Sequence, residues 1–155
     1  MANLFYSNWF WVHIGLMYAG FAGFITAVAS AAIYLFQSYQ LKSKHPGAVF
    51  LKLPSLDVLD RIHFRALSLG VVLFSLGILS GFFWARDLKG LNEIFKDPKV
   101  ILSFFTCFFY WLVFLVRLSA IRRGQKIAAG TVFAFLLLAV TFMSGHLAPA
   151  AIRGF

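Results

Sequence analysis

Four of the 155 residues are histidines, and these are the side chains whose type and placement can do chemistry: His13, His45, His63 and His146. A neutral imidazole binds a metal through one ring nitrogen while the other makes a hydrogen bond. His13 falls one turn inside the apolar stretch WFWVHIGLMYAG, and His146 falls near the end of the last apolar run. Ionisable groups at membrane depth are costly, so each calls for a partner. If the two sit at one level on facing helices, each can give one nitrogen to the iron of a haem. Met17, Gly20 and Phe24 share a helical face with His13, and Met143, Phe142 and Ala139 share one with His146. That mixture of small and aromatic groups suits a flat macrocycle and equally suits plain core. The other reading of both imidazoles is interfacial, with bonds to water or backbone where the helices leave the membrane. His45, beside Pro46-Gly47, reads as a solvated loop residue, and His63 as a headgroup contact at the entrance to the second apolar segment.

Other chemistries lack their parts. Cys107 is the single cysteine, so neither a disulfide framework nor a thiol metal site can be built. There is no nucleotide loop, carboxylate dyad or hydrolase elbow, and no nucleophile, base and orienter set, so the expectation is a protein that is not an enzyme.

The elements that must carry the histidines follow from composition. The chain is 61% hydrophobic and 12% charged, with a mean hydropathy of +0.85. Soluble domains carry roughly 25% charged residues. Apolar stretches recur at about 9–36, 66–85, 100–116 and 127–147, each near the ~20 residues that a helix needs to cross the hydrocarbon core. The expected fold is all-α, a four-helix transmembrane bundle forming one integral membrane domain over residues 1–155. No Lys or Arg precedes residue 42 and the first apolar run is long, so this run is expected to stay as a helix and not to act as a cleaved signal.

The net charge of +9 is distributed as in a membrane protein and does not call for nucleic acid. The links 37–65 and 117–126 hold five and four Lys/Arg, against four in 86–99, where Asp87, Glu93 and Asp97 offset them, and one, Arg153, at the end. The positive-inside rule then makes 37–65 and 117–126 cytoplasmic and puts both termini on the outer side. Trp9, Trp11 and Trp84 mark an outer interfacial belt. In the link 37–65, SLDVLDRIHFR can start a helix, with Ser55 as N-cap and Asp57 in the first turn. It either lies on the membrane surface or runs straight into the second span, with Asp60, Arg61 and Arg65 in the headgroups. Gly77 and Gly81 stand in GxxxG spacing, and Gly15, Ala19, Gly23, Ala27 and Ala31 form a small-residue row, both read as packing faces within the bundle or toward another chain.

The segment LPSLDVLDRIHFRALSLGVVLFSLGILSGFFWARD, residues 53–87, resembles the integral-membrane cytochrome c assembly protein family. The family pattern is Leu-Pro, Leu-Asp and Arg, then a glycine-punctuated helix ending in Trp-Ala. Leu53, Pro54, Leu56, Leu59, Asp60, Arg65, Gly70, Gly77, Gly81, Trp84 and Ala85 follow it in register. The stretch WVHIGLMYAGFAGFITAVASAAIYLFQ resembles the family's preceding helix, whose outer histidine is matched by His13. The resemblance implies haem handling during cytochrome c biogenesis, with His13 as an outer axial ligand of haem. Three departures stand against full haem export. The stretch IFKDPKV keeps Asp97, Pro98 and Lys99 without the tryptophans of the exporters' haem platform; Val116 precedes Arg117 where the exporters have a histidine; and their second outer histidine aligns with Arg153, about two turns beyond His146.

The expected function is therefore an integral membrane haem-handling protein of a bacterial inner membrane. It would hold one b-type haem between His13 and His146, with Met17, Gly20, Phe142 and Met143 lining the pocket, for haem handling or electron transfer. The alternative is a haem-free subunit or regulator of a respiratory or cytochrome assembly complex. Lipids and a second copy or other membrane subunits are the expected partners.

Overall fold

The computed structural model describes residues 2–43, 53–89, 96, 98–119 and 124–152; the side chains of 2–7, 87–89, 99, 142 and 144–152 lie outside that description. The described residues form four helices and no strand: α1, Ala2–Ser43; α2, Leu56–Lys89; α3, Pro98–Leu118; and α4, Gln125–Ile152. The all-α expectation holds. Helices α1, α2 and α3 are each long and apolar enough to cross a membrane, and the described apolar part of α4 is Gln125–Thr141.

Each helix start has a local cause. The Ser55 carbonyl accepts the amides of Val58 and Leu59, both at 3.0 Å, and Asp57 sits in the first turn of α2, where the helix dipole favours an acid. SLDVLDRIHFR therefore runs straight into the second span. Pro98 opens α3, at a position where its missing N–H removes no helical bond. Gly124, with φ +102°, precedes α4 and accepts the amides of Ile127 and Ala128 at 3.2 Å. A Cβ-bearing residue adopts that backbone conformation only at a cost.

Helices α1 and α2 run antiparallel and share a seam. On α1 its members are His13, Met17, Gly20, Phe24, Ala27 and Ala31; on α2 they are Gly81, Gly77, Phe74, Gly70, Leu67 and His63. A Cβ at Gly81 would meet His13, one at Gly77 would meet Met17, Gly20 faces Phe74, and a Cβ at Gly70 would meet Phe24. Both rows step by four and three residues alternately. That is the 3.5-residue period which keeps one helix face turned to a partner in a coiled coil. The expected row of small residues follows the seam only in its second half. Gly15 and Ala19 are exposed, and among the described residues nothing lies within 4 Å of a Cβ at Gly15. A strict four-residue row drifts about 40° per step around a 3.6-residue helix, so it crosses the seam and cannot track it.

Aromatic and hydroxyl contacts close the bundle. Phe24 stacks on Tyr110 of α3 with ring centroids 3.6 Å apart and meets Phe74 edge-on at 5.4 Å. Phe21 stacks on Phe135 of α4 at 6.1 Å. Between α2 and α3, Trp111 Nε1 donates to Ser75 Oγ at 2.9 Å, and between α3 and α4 the hydroxyls of Thr106 and Thr141 bond at 3.0 Å. Polar groups at membrane depth must find partners within the protein, which is what these side chains do. The outer face of α3 is apolar, with Phe105 59% and Phe108 64% exposed, and such faces contact lipid.

Candidate functional site

His13 projects from α1 onto α2 and is half-buried. Its Nδ1 lies 2.7 Å from the Gly77 carbonyl oxygen. A carbonyl can only accept, so Nδ1 carries the proton and Nε2 carries the lone pair. Metal-bound imidazoles have this arrangement: one nitrogen for the metal, the other donating to a carbonyl or carboxylate that fixes tautomer and ring orientation. The donor chemistry of His13 thus fits an axial haem ligand.

Two of its expected companions share the same seam. Met17 packs on Gly77, and Gly20 packs on the backbone of Phe74, which a Cβ at Gly20 would approach to 2.8 Å. Met143 stands on α4 and is 63% exposed. Phe142 and His146 belong to α4 by their backbone, and their side chains lie outside the described residues. His45, Arg122, Arg123 and Arg153 also lie outside the described residues, as does all of the IFKDPKV stretch before Lys96.

A second polar cluster, at the opposite end of the bundle, departs from expectation. His63 is buried, 4% exposed, and its Nε2 lies 2.9 Å from Thr131 Oγ1 on α4. The Thr131 hydroxyl donates its own proton to the Ile127 carbonyl at 3.1 Å, so His63 must donate through Nε2. Beside it, Asp60 pairs with Arg117 of α3, whose side chain is only 9% exposed. The Arg117 guanidinium also lies over the Phe64 ring at 5.6 Å, a cation–π contact. His63 and the Arg117 side chain are thus enclosed by protein, while Asp60 keeps 30% of its side chain exposed. The signal was present in the spacing: Leu59, His63, Leu67 and Gly70 form one helical stripe, and all four are buried. Thr131→Val, which keeps the shape and removes the acceptor, should lower stability by about 1–3 kcal/mol because a buried imidazole N–H loses its partner. Denaturant titration in detergent measures it.

Comparison with known proteins gives the chain a family. The profile described as Cytochrome C assembly protein matches residues 1–150. The chain is 30% identical over 131 residues to Protein HemX of Brevibacillus brevis, covering 84% of this chain and 48% of the relative. It is 24% identical over 165 residues to the Cytochrome c biogenesis protein CcsA of Mesostigma viride, covering 91% and 52%, and 27% identical over 132 residues to Protein HemX of Bacillus subtilis, covering 84% and 47%. The chain therefore spans about half the length of these curated relatives. No solved structure matches it significantly. With the family profile covering nearly its whole length and the glycine-lined α1–α2 seam under that match, this membrane chain belongs to the cytochrome c assembly protein family.

Proposed function

We propose that the protein handles haem in the membrane, holding one b-type haem near one face through His13 and His146. The observation that carries this reading is the Nδ1–H bond from His13 to the Gly77 carbonyl, which leaves Nε2 as the coordinating nitrogen. Helix register supports the pairing. From the Phe21–Phe135 contact, α1 runs back eight residues to His13 and α4 runs on eleven to His146, about 12 and 16 Å at 1.5 Å per residue. The two backbones then lie within one turn of the same level. A single cysteine cannot supply both thioethers of a covalently attached haem, which favours the b type. Bound haem would supply the redox and ligand-exchange chemistry of its iron. The chain's own part is to hold and orient an imidazole.

Orientation follows from charge. Lys42, Arg61 and Lys126 gather at the end of the bundle away from Trp9, Trp11 and Trp84, so the basic end faces the cytoplasm of a bacterial inner membrane and the histidine pair faces outward. Apolar faces that the bundle leaves uncovered, such as Phe105 and Phe108 of α3, suit lipid and a second copy or other membrane subunits. Purification in detergent after haem supplementation tests the proposal. The expected result is a low-spin spectrum and a b-type pyridine haemochrome, with the low-spin signal lost in His13→Ala and in His146→Ala. Haem-free protein, or a spectrum unchanged in the double variant, overturns it.

A further inference from the structure

We infer that Gly81 and Ser80 are positioning residues for His13. Gly81 supplies the space that the imidazole occupies, and Ser80, acting through the Gly77 carbonyl, sets how strongly the Nδ1 proton is held. A Cβ at Gly81 would lie 2.5 Å from His13 Cε1, 2.7 Å from Nδ1 and 3.2 Å from Nε2. The ring therefore lies against the α2 backbone at this one residue, and any side chain there must push it away. The same ring is tied to the Gly77 carbonyl, one turn earlier, by its 2.7 Å bond. Displacement by even the methyl of alanine lengthens that bond and turns Nε2 out of its direction. Gly77 receives Met17 in a similar way, with Sδ 2.9 Å from a Cβ built there. Of the two glycines in GxxxG spacing, Gly77 receives a thioether and Gly81 the imidazole.

Besides the helix's own amide four residues on, the Gly77 carbonyl accepts a second side-chain bond, from Ser80 Oγ at 2.8 Å, and Ser80 is buried at 7% exposure. Two side-chain donors share the electron density that this oxygen has left beside its helical bond, so Ser80 weakens the hold on the His13 proton. Without the Ser80 hydroxyl the Nδ1–H bond strengthens, and Nε2 becomes a better electron donor, as outer partners of metal-bound histidines do when they pull harder on the proton. The Ser80 half of the inference rests on His13 being an iron ligand. The Gly81 half does not.

The test is a double-mutant cycle read by thermal unfolding in detergent, without added haem, on the unaltered protein, Gly81→Ala, His13→Ala and the pair. Gly81→Ala is expected to lower the unfolding midpoint when His13 is present, and to leave it unchanged or raise it in the His13→Ala background, where the added methyl enters vacated space. Equal losses in both backgrounds overturn the Gly81 assignment, as does a Gly81→Ala protein that fails to fold and is not recovered by His13→Ala. In haem-supplemented protein, Gly81→Ala should lose the low-spin spectrum, while Ser80→Ala keeps it and shifts the reduction potential to a more negative value. An unmoved potential overturns the Ser80 assignment. Coupling between positions 81 and 13 in a protein that takes up no haem upholds the positioning by Gly81 and removes the ligand reading of His13.

Discussion

Gly23→Leu is expected to abolish the folded bundle, while Gly15→Ala, eight residues earlier on the same helix, leaves it intact. A Cβ at Gly23 would lie 2.9 Å from Gly70 Cα, 3.0 Å from Gly70 N and 3.1 Å from the Ala66 carbonyl oxygen. Every one of those atoms is backbone, so no rotamer change relieves the contact. Two helices must separate along the whole seam, taking with them Phe24 and its stack on Tyr110. Overpacking a close-packed site by ordinary small-to-large changes costs about 1–3 kcal/mol, and Gly23→Ala should fall at or above the top of that range. Leucine adds three more carbons against the same backbone. The loss then approaches the whole stability of a domain, about 5–15 kcal/mol. At Gly15 nothing among the described residues lies within 4 Å of the added carbon, so alanine there should gain about 0.5–1 kcal/mol through helix propensity. Unfolding in detergent together with size-exclusion profiles of the three variants decides the matter. A folded Gly23→Leu protein would mean that α1 and α2 do not pack along this seam.

The contrast between Gly15 and Gly23 shows where a sequence of this kind stops being informative. The number and approximate position of the apolar helices are legible, because hydrocarbon thickness imposes an apolar length on a helix that crosses it. The phase of α1 about its own axis is not, since small residues occur on both its buried and its exposed sides: Gly20, Ala27 and Ala31 are buried, while Ala19, Ala22 and Ala29 are exposed. Only the partner's glycines, at Gly70, Gly77 and Gly81, choose between the faces. His13 was legible as a residue needing a partner. Its partner was not, because the acceptor is a backbone carbonyl and every residue carries one. Arg117 misled for a different reason. It closes an apolar run and therefore reads as a loop cation, whereas its partner Asp60 stands 57 positions away in another helix.

That pairing sets up the second large effect. Asp60→Asn is expected to destabilise the protein more than Arg117→Met, although both break the same ion pair. The asymmetry comes from burial. Arg117 has 9% of its side chain exposed against 30% for Asp60, and its Nη1 is buried without a hydrogen-bond partner among the described residues. Removing the acid strands a guanidinium that water barely reaches, and breaking a buried pair from one side costs about 3–5 kcal/mol. Removing the base strands a carboxylate that can rehydrate through its open side, which puts Arg117→Met at the low end of that range or below it. His63 is close by: with Asp60, Tyr34 and Gly124 it lines a cavity of about 10 Å³ between α1, α2 and the start of α4, a volume about the size needed for one water. Asp60 is the one acid among the residues lining that cavity, so the Asp60→Asn variant has no group there able to take over the lost negative charge. The double variant Asp60→Asn/Arg117→Met removes both charges and should recover most of the loss, because an apolar side chain suits a site over the Phe64 ring, which itself stacks on Phe114 at 6.2 Å. Denaturant unfolding of the two single variants and the pair measures all three quantities; equal losses from the two single changes, or a double variant no better than Asp60→Asn, would show that the pair behaves as a solvated surface contact.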